Sequence, residues 1–206
     1  MNYNIFICFV IFTLFMMLLF NNDNSNTNDN KNYVNNNNLL EPFRMIEVNG
    51  RKYEVLDDME NQEEAANFLN RIDLRIKEFV EAITEAHSND IRIRRLNKNL
   101  VNTKIIEPEH IKGTSSYTIN KGEILAFCVR LKNDNTKFHS AEILDFVIIH
   151  ELAHVMSISV GHNDEWLNNF KFLLRELHKL GLYRPIDYSH NNVDYCGVNV
   201  TNNPIL

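Results

Sequence analysis

Two histidines four residues apart frame the densest chemistry in the chain: His150-Glu151-Leu152-Ala153-His154, an H-E-x-x-H string. On a helix, positions i and i+4 share a face, so His150 and His154 can offer two imidazoles to one metal ion. A third imidazole, His162, follows Gly161, a residue that can reverse the chain. A catalytic zinc ion takes three protein ligands and keeps a fourth position for water. His150, His154 and His162 are therefore the expected metal ligands and zinc the expected ion. Glu151 is the expected general base, taking a proton from the metal-activated water and carrying it to a leaving amine. Glu165 and Glu176 are rival third ligands; His162 is preferred because Gly161 sets up the turn and imidazole suits zinc.

The string is short enough to occur by chance, so its weight depends on the elements that carry it. Ile143, Leu144, Phe146, Val147, Ile148, Ile149, Leu152, Ala153, Val155 and Met156 make the segment after Ser140 apolar nearly all round. That pattern predicts a buried helix, with Ser140 at its start. His150, Glu151 and His154 are then polar groups in an apolar interior, a costly arrangement unless something satisfies them, as a metal does. Asn163 and Asp164 cap a second helix running through Leu180, with Trp166, Phe170, Leu173, Leu174, Leu177 and Leu180 as its apolar stripe.

Upstream, Asn49-Gly50 between residues 45–48 and 52–55 predicts a hairpin. Ala65, Phe68, Leu69, Ile72, Ile76, Phe79, Val80 and Ile83 predict one long packing helix over 61–86. A short strand is expected at 104–107, stopped by Pro108, and two more at 115–119 and 123–130. Asn120-Lys121-Gly122 suits a three-residue loop between them, with the glycine left-handed. Cys128 reads as a packed thiol. Arg92, Arg94 and Arg95 read as a solvated charged face. The tail from Tyr183 reads as irregular. It supplies Tyr183, Tyr188, His190 and Tyr195 as candidates to stabilise an oxyanion. His178 is expected at the surface, and His87, His110 and His139 in loops.

The chain has 206 residues and a formal charge of −6. Nothing in that charge favours nucleic acid or an anionic membrane surface as the main partner. With three cysteines, one of them in an apolar N-terminal run, the body can hold at most one disulfide. Residues 5–20 are apolar except for Thr13, enough helix for roughly 24 Å of a ~30 Å hydrocarbon core. No basic n-region or A-x-A site accompanies the run. Residues 1–20 are thus expected to be a transmembrane anchor or signal, and the protein a single-pass protein of a host or virion membrane. Residues 21–38, more than half asparagine, predict a disordered tether, and residues 39–206 a folded domain. Were that domain lumenal or external, Asn199 could be glycosylated and Cys128 could pair with Cys196.

His150 to His154 followed by Gly161-His162-Asn163-Asp164-Glu165-Trp166 resembles the WLM and SprT-like zinc metallopeptidases. Thr118 to Gly122, Tyr195-Cys196-Gly197 and Asn203 to Leu206 extend the similarity to WLM-type metallopeptidases of large DNA viruses. The interval from His154 to His162 is longer than in the compact WLM form and shorter than in some SprT-like proteins. The resemblance implies a zincin-like α+β fold, a small sheet over an active-site helix, with one strand bordering the cleft and able to pair with an extended peptide. It implies His150, His154 and His162 as ligands and Glu151 as base. The expected function is a membrane-tethered zinc endopeptidase acting on protein or peptide substrates. The alternative is a non-catalytic, zinc-stabilised structural or binding module of a membrane or virion.

Overall fold

The computed structural model describes residues 43–109 and 115–206. The expected anchor, the tether and His110 lie outside the described residues. Among the described residues, no helix is long and apolar enough to cross a membrane.

Strands β1 (Phe43–Val48) and β2 (Arg51–Leu56) form the expected hairpin. Asn49 and Gly50 take φ values of 53° and 76°, the pair of positive angles that an I′ turn needs. Helix α1 (Gln62–Ala86) buries Leu69, Ile72, Ile76, Phe79 and Ile83 on one face, as their spacing predicts. Asp73, also buried there, is held by Arg51 at 2.9 Å, Lys77 at 3.1 Å and the Tyr53 hydroxyl at 3.1 Å. The arginine-rich run belongs to helix α2 (Ile91–Asn99), where Arg94 is exposed and Arg92 and Arg95 are half-buried. Asp90 caps that helix by accepting from the Arg92 N–H at 2.8 Å, and Ile93 and Leu96, three apart, are buried.

Strand β3 (Lys104–Ile106) pairs in parallel with β2 and with β5 (Ile124–Ala126), while β4 (Tyr117–Ile119) pairs antiparallel with β5. The resulting sheet has the order β1-β2-β3-β5-β4, which leaves β4 on an edge. The strand expected over 123–130 is shorter than its apolar run. Phe127 donates to the Ile106 carbonyl at 2.9 Å, and the chain then leaves the sheet. Cys128 is not a free packed thiol but is disulfide-bonded to Cys196. Arg130–Leu131 (β6) then pairs with an unforeseen strand, β7 (Asp134–Phe138). The turn before β5 is one residue longer than expected, since Ile119 pairs with Ile124, and Asn120, Lys121 and Gly122 take positive φ of 47°, 59° and 111°.

Helices α3 (Ala141–Met156) and α4 (Asp164–Lys179) complete the α+β architecture. Leu152, Val155, Leu173, Leu174 and Leu177 are buried with Leu69, Phe79 and Leu125 in one core shared by helices and sheet. The tail is irregular over residues 183–192 and 201–206, but not between them. Val193–Tyr195 (β8) and Val198–Val200 (β9) make a second hairpin, turned by Cys196 and Gly197 at φ 53° and 81°.

Candidate metal centre

Helix α3 is buried along nearly its whole circumference, so its position is fixed by packing on all sides. Its final turn needs partners for carbonyls that no later residue can satisfy. Three side chains from elsewhere supply them. Arg95 donates to the Met156 carbonyl at 2.7 Å, Asn99 to Val155 at 3.2 Å, and Lys121 to His154 at 3.5 Å. Lys121 also reaches the Ser159 carbonyl. Helix α2 and the β4–β5 turn thus set the end of α3 that carries His154.

The loop from Ser157 to Asn163 is held by Glu165. Its carboxylate accepts from the backbone of Ile158 at 2.8 Å and Ser159 at 2.9 Å, and from the Ser159 hydroxyl at 2.5 Å. These bonds hold the Glu165 carboxyl down at about 2. Gly161, at φ 84°, reverses the chain, and Asn163 caps α4 by accepting from the Trp166 N–H at 3.1 Å.

This path brings His162 back over α3. Its Nε2 lies 3.0 Å from that of His150 and 3.1 Å from that of His154. Trp166 backs all three rings, with centroids 4.4 Å from His162, 4.7 Å from His150 and 5.3 Å from His154. Burial first, then the neighbouring imidazoles, pulls His150 down to about 3. Burial and His162 pull His154 down to about 4. Both rings are therefore neutral at pH 7, with lone pairs rather than protons to direct inward. One shared proton can bridge only one pair of nitrogens, whereas a cation at their centre satisfies all three. Imidazole nitrogens suit zinc, and the donor set fits that ion.

Glu151 is 3% exposed. The Thr118 hydroxyl, from edge strand β4, donates to its Oε2 at 2.7 Å. Burial pushes the carboxyl up to about 7 despite that bond. Both side chains border a cavity of about 730 Å³ that also reaches His150, His154, His162 and Tyr195.

The rival ligands are engaged elsewhere: Glu165 in the loop, and Glu176 with His87 at 2.9 Å and Lys179 at 2.5 Å. His178 is exposed, as expected, and its Nδ1 meets the Tyr183 carbonyl at 3.1 Å. His139 lies in a loop but is buried, 3.3 Å from the Cys196 sulfur. Cys128, His139 and Cys196 cluster closely enough to suggest a second metal site. Metal ligation needs thiolates, however, and these sulfurs are bonded to each other.

Of the four tail candidates for oxyanion stabilisation, Tyr195 alone borders the cavity. Tyr183 is bonded to Asn203 at 2.8 Å, Tyr188 packs on Phe146, and His190 pairs with Asp187 at 3.0 Å. Arg92 is bound to Asp90 and lies over the Phe172 ring, and Arg95 caps α3, so Arg94 alone of the three arginines is exposed. Thr118 and Lys121 are contributions that the sequence reading missed. The hydroxyl three residues before a left-handed Lys-Gly turn was the available signal.

No family model matches the chain. Uncharacterized protein R325 of Acanthamoeba polyphaga mimivirus is 28% identical over 151 residues, covering 70% of this chain and 75% of that protein. Uncharacterized protein 136R of Invertebrate iridescent virus 6 is 36% identical over 72 residues, 35% of this chain and 40% of its own length. Among solved structures, Wss1 from Saccharomyces cerevisiae overlaps 62% of this chain and 90% of its own, with a TM-score of 0.45 and 19% identity. The chain is thus similar to proteins of large DNA viruses, over most of its length in the first case.

Proposed function

We propose that the protein is a zinc-dependent endopeptidase. The observation that carries the reading is the convergence of three imidazoles beside a buried carboxyl in one cavity. His150, His154 and His162 would hold the ion. Zinc held there supplies a Lewis acid that polarises a carbonyl and brings proton loss from water near neutral pH. Thr118 fixes Oε2 of Glu151, which leaves Oε1 to take a proton from water and return it to the departing amine. A carboxyl poised at about 7 serves both directions of that transfer. β4, which lies at the sheet's edge among the described residues, offers backbone groups to an extended peptide alongside.

Tethering belongs to the same proposal and rests on the apolar run at residues 5–20. The Cys128–Cys196 bond and the exposed Asn199 support a domain on an oxidising side of the membrane.

The test uses the full chain, its bound zinc and its cleavage of unstructured proteins. Glu151→Gln should keep the metal and lose about 10²–10⁴-fold in cleavage rate. A parent protein that takes up no metal would sink the reading. Tight zinc without cleavage of any substrate would favour the non-catalytic module instead.

A further inference from the structure

Cys128, His139 and Cys196 stand apart from the histidine centre, and the cleavage chemistry uses none of them. Their two sulfurs and one ring nitrogen lie within 4.8 Å of one another, and all three residues are buried. Cys128 and His139 flank the β6–β7 hairpin. Pairing of Arg130 with Phe138 closes that hairpin, and the His139 N–H donates to the Val129 carbonyl at 2.9 Å. Cys196 comes from the turn between β8 and β9, where its φ is 53°. Few residues with a side chain take that conformation, and here the turn uses it to bring a sulfur to Cys128.

A disulfide accounts for the two cysteines but not for the histidine. The His139 Nε2 lies 3.3 Å from the Cys196 sulfur. Sulfur is a weak partner for a ring nitrogen, and a buried polar group without a good partner is costly. The distances suit a metal site better. Around a tetrahedral zinc ion with arms of about 2.0–2.3 Å, neighbouring ligand atoms stand about 3.3–3.8 Å apart. The His139–Cys196 distance falls in that range, and the Arg130 carbonyl oxygen lies 3.7 Å from each sulfur. The two sulfurs alone stand too close, because they are bonded. Their Cα atoms are 6.5 Å apart, at the wide end of the range for a disulfide, which leaves room for side-chain rotation to part the sulfurs.

We propose that reduction of the Cys128–Cys196 bond turns this cluster into a second metal site. Two thiolates and the His139 imidazole hold a zinc ion there, and the Arg130 carbonyl or a water takes the fourth position. Thiolate and imidazole donors select zinc over magnesium or calcium. The exchange balances as a two-electron step. Each thiolate gives one electron to an incoming small-molecule disulfide, which takes two protons from solvent and leaves as two thiols. The S–S bond forms and the metal departs. A thiol reductant reverses the step, and the returning metal displaces the two cysteine protons. The same three residues therefore fasten the final hairpin in both surroundings: covalently where conditions oxidise, and through metal where thiols stay reduced, as in a cytosol. Tyr195, next to Cys196, borders the histidine cavity, so both states hold that wall.

The test compares two preparations of the full chain. One is oxidised and has one free thiol; the other is kept throughout under a phosphine reductant and has three. A phosphine is needed because a dithiol would itself take the metal. Cobalt(II) is the probe, since a thiolate-to-cobalt charge-transfer band cannot come from a site made of histidines alone. The reduced protein should show that band, bind one more equivalent of cobalt than the oxidised protein, and lose the band to zinc. His139→Gln, whose folding is checked with its disulfide intact, should bind the extra ion at least about tenfold more weakly, since even an outer partner of a ligand is worth about 10–100-fold. Zinc should also raise the urea midpoint of the reduced protein by more than that of the oxidised one, an added gain that Cys128→Ser/Cys196→Ser should lose. A reduced protein without the band overturns the proposal. So does a band that persists in Cys128→Ser/Cys196→Ser, which would belong to Cys8, or an unchanged affinity in His139→Gln. Equal stabilisation of both preparations by zinc overturns it as well.

Discussion

At the scale of single residues, Glu151 is held in a state that favours its proposed chemistry over stability. Its carboxyl is buried and accepts a hydrogen bond from Thr118. The folded value of about 7 lies above the ordinary glutamate value of about 4.5, so ionisation opposes folding. The cost is absent below pH 4.5, grows as pH rises, and is complete above pH 7. Metal-free Glu151→Gln should therefore equal the parent in stability near pH 4 and exceed it by about 2–4 kcal/mol at pH 8. Urea titrations at the two values measure this; a constant gap would contradict the burial argument. Thr118 acts through Glu151. Thr118→Val keeps shape and removes the donor, so turnover should fall about tenfold with zinc and KM retained. Thr118→Ser should restore it, an outcome that a purely packing role for the methyl group would not give.

At the scale of elements, the site depends on how α3 ends. Gly122 sits where a Cβ would lie 3.1 Å from Val155 Cγ1 and 3.2 Å from the Asn99 carbonyl, at φ +111°. Gly122→Ala should therefore push the turn off both helices and cost about 1–3 kcal/mol, read as a lower melting temperature together with weaker zinc retention. Glu165 secures the other side of the loop. Its folded carboxyl is depressed to about 2, so its stabilisation is present above pH 4.5 and is lost as pH falls from there towards 2. The stability gap between parent and Glu165→Ala should be full at pH 6 and close across that acid window.

Much of this arrangement was legible in sequence, and the pattern of misses has a physical cause. His150, Glu151 and His154 stood out because they interrupt an otherwise apolar helix, and His162 because Gly161 and Asn163 marked a turn and a cap. The first hairpin announced itself through Asn49-Gly50. The second used Cys196-Gly197 with only three residues a side, too little alternation to read as strands. Thr118 could not be matched to Glu151, since that pairing exists only once β4 lies along α3. The contacts of Arg92 with Phe172 and of Arg95 with Met156 likewise depend on neighbours remote in sequence.

For the whole molecule, the question is what fastens the tail to the sheet. Two features do so. Arg130, fully buried, meets Glu107 at 2.6 Å, and Glu107 also accepts from the Leu56 N–H at 3.1 Å, tying the start of β6 to β2. The second is the Cys128–Cys196 bond across a sequence separation of 68, which makes the segment leaving β5 and the final hairpin one unit. Closing a loop of that length removes enough freedom from the unfolded chain to stabilise the fold by about 4 kcal/mol, less any native strain. The paired variant Cys128→Ser/Cys196→Ser should lose stability on that order in urea unfolding. A dithiol reductant should bring the parent down to the same midpoint and leave the variant unmoved, because the variant has no bond left to break. A reductant that shifts both equally would assign the effect to something other than this disulfide. A parent unaffected by reduction would mean that the hairpin is held by the apolar contacts of Tyr195 and Val200 without the covalent bond.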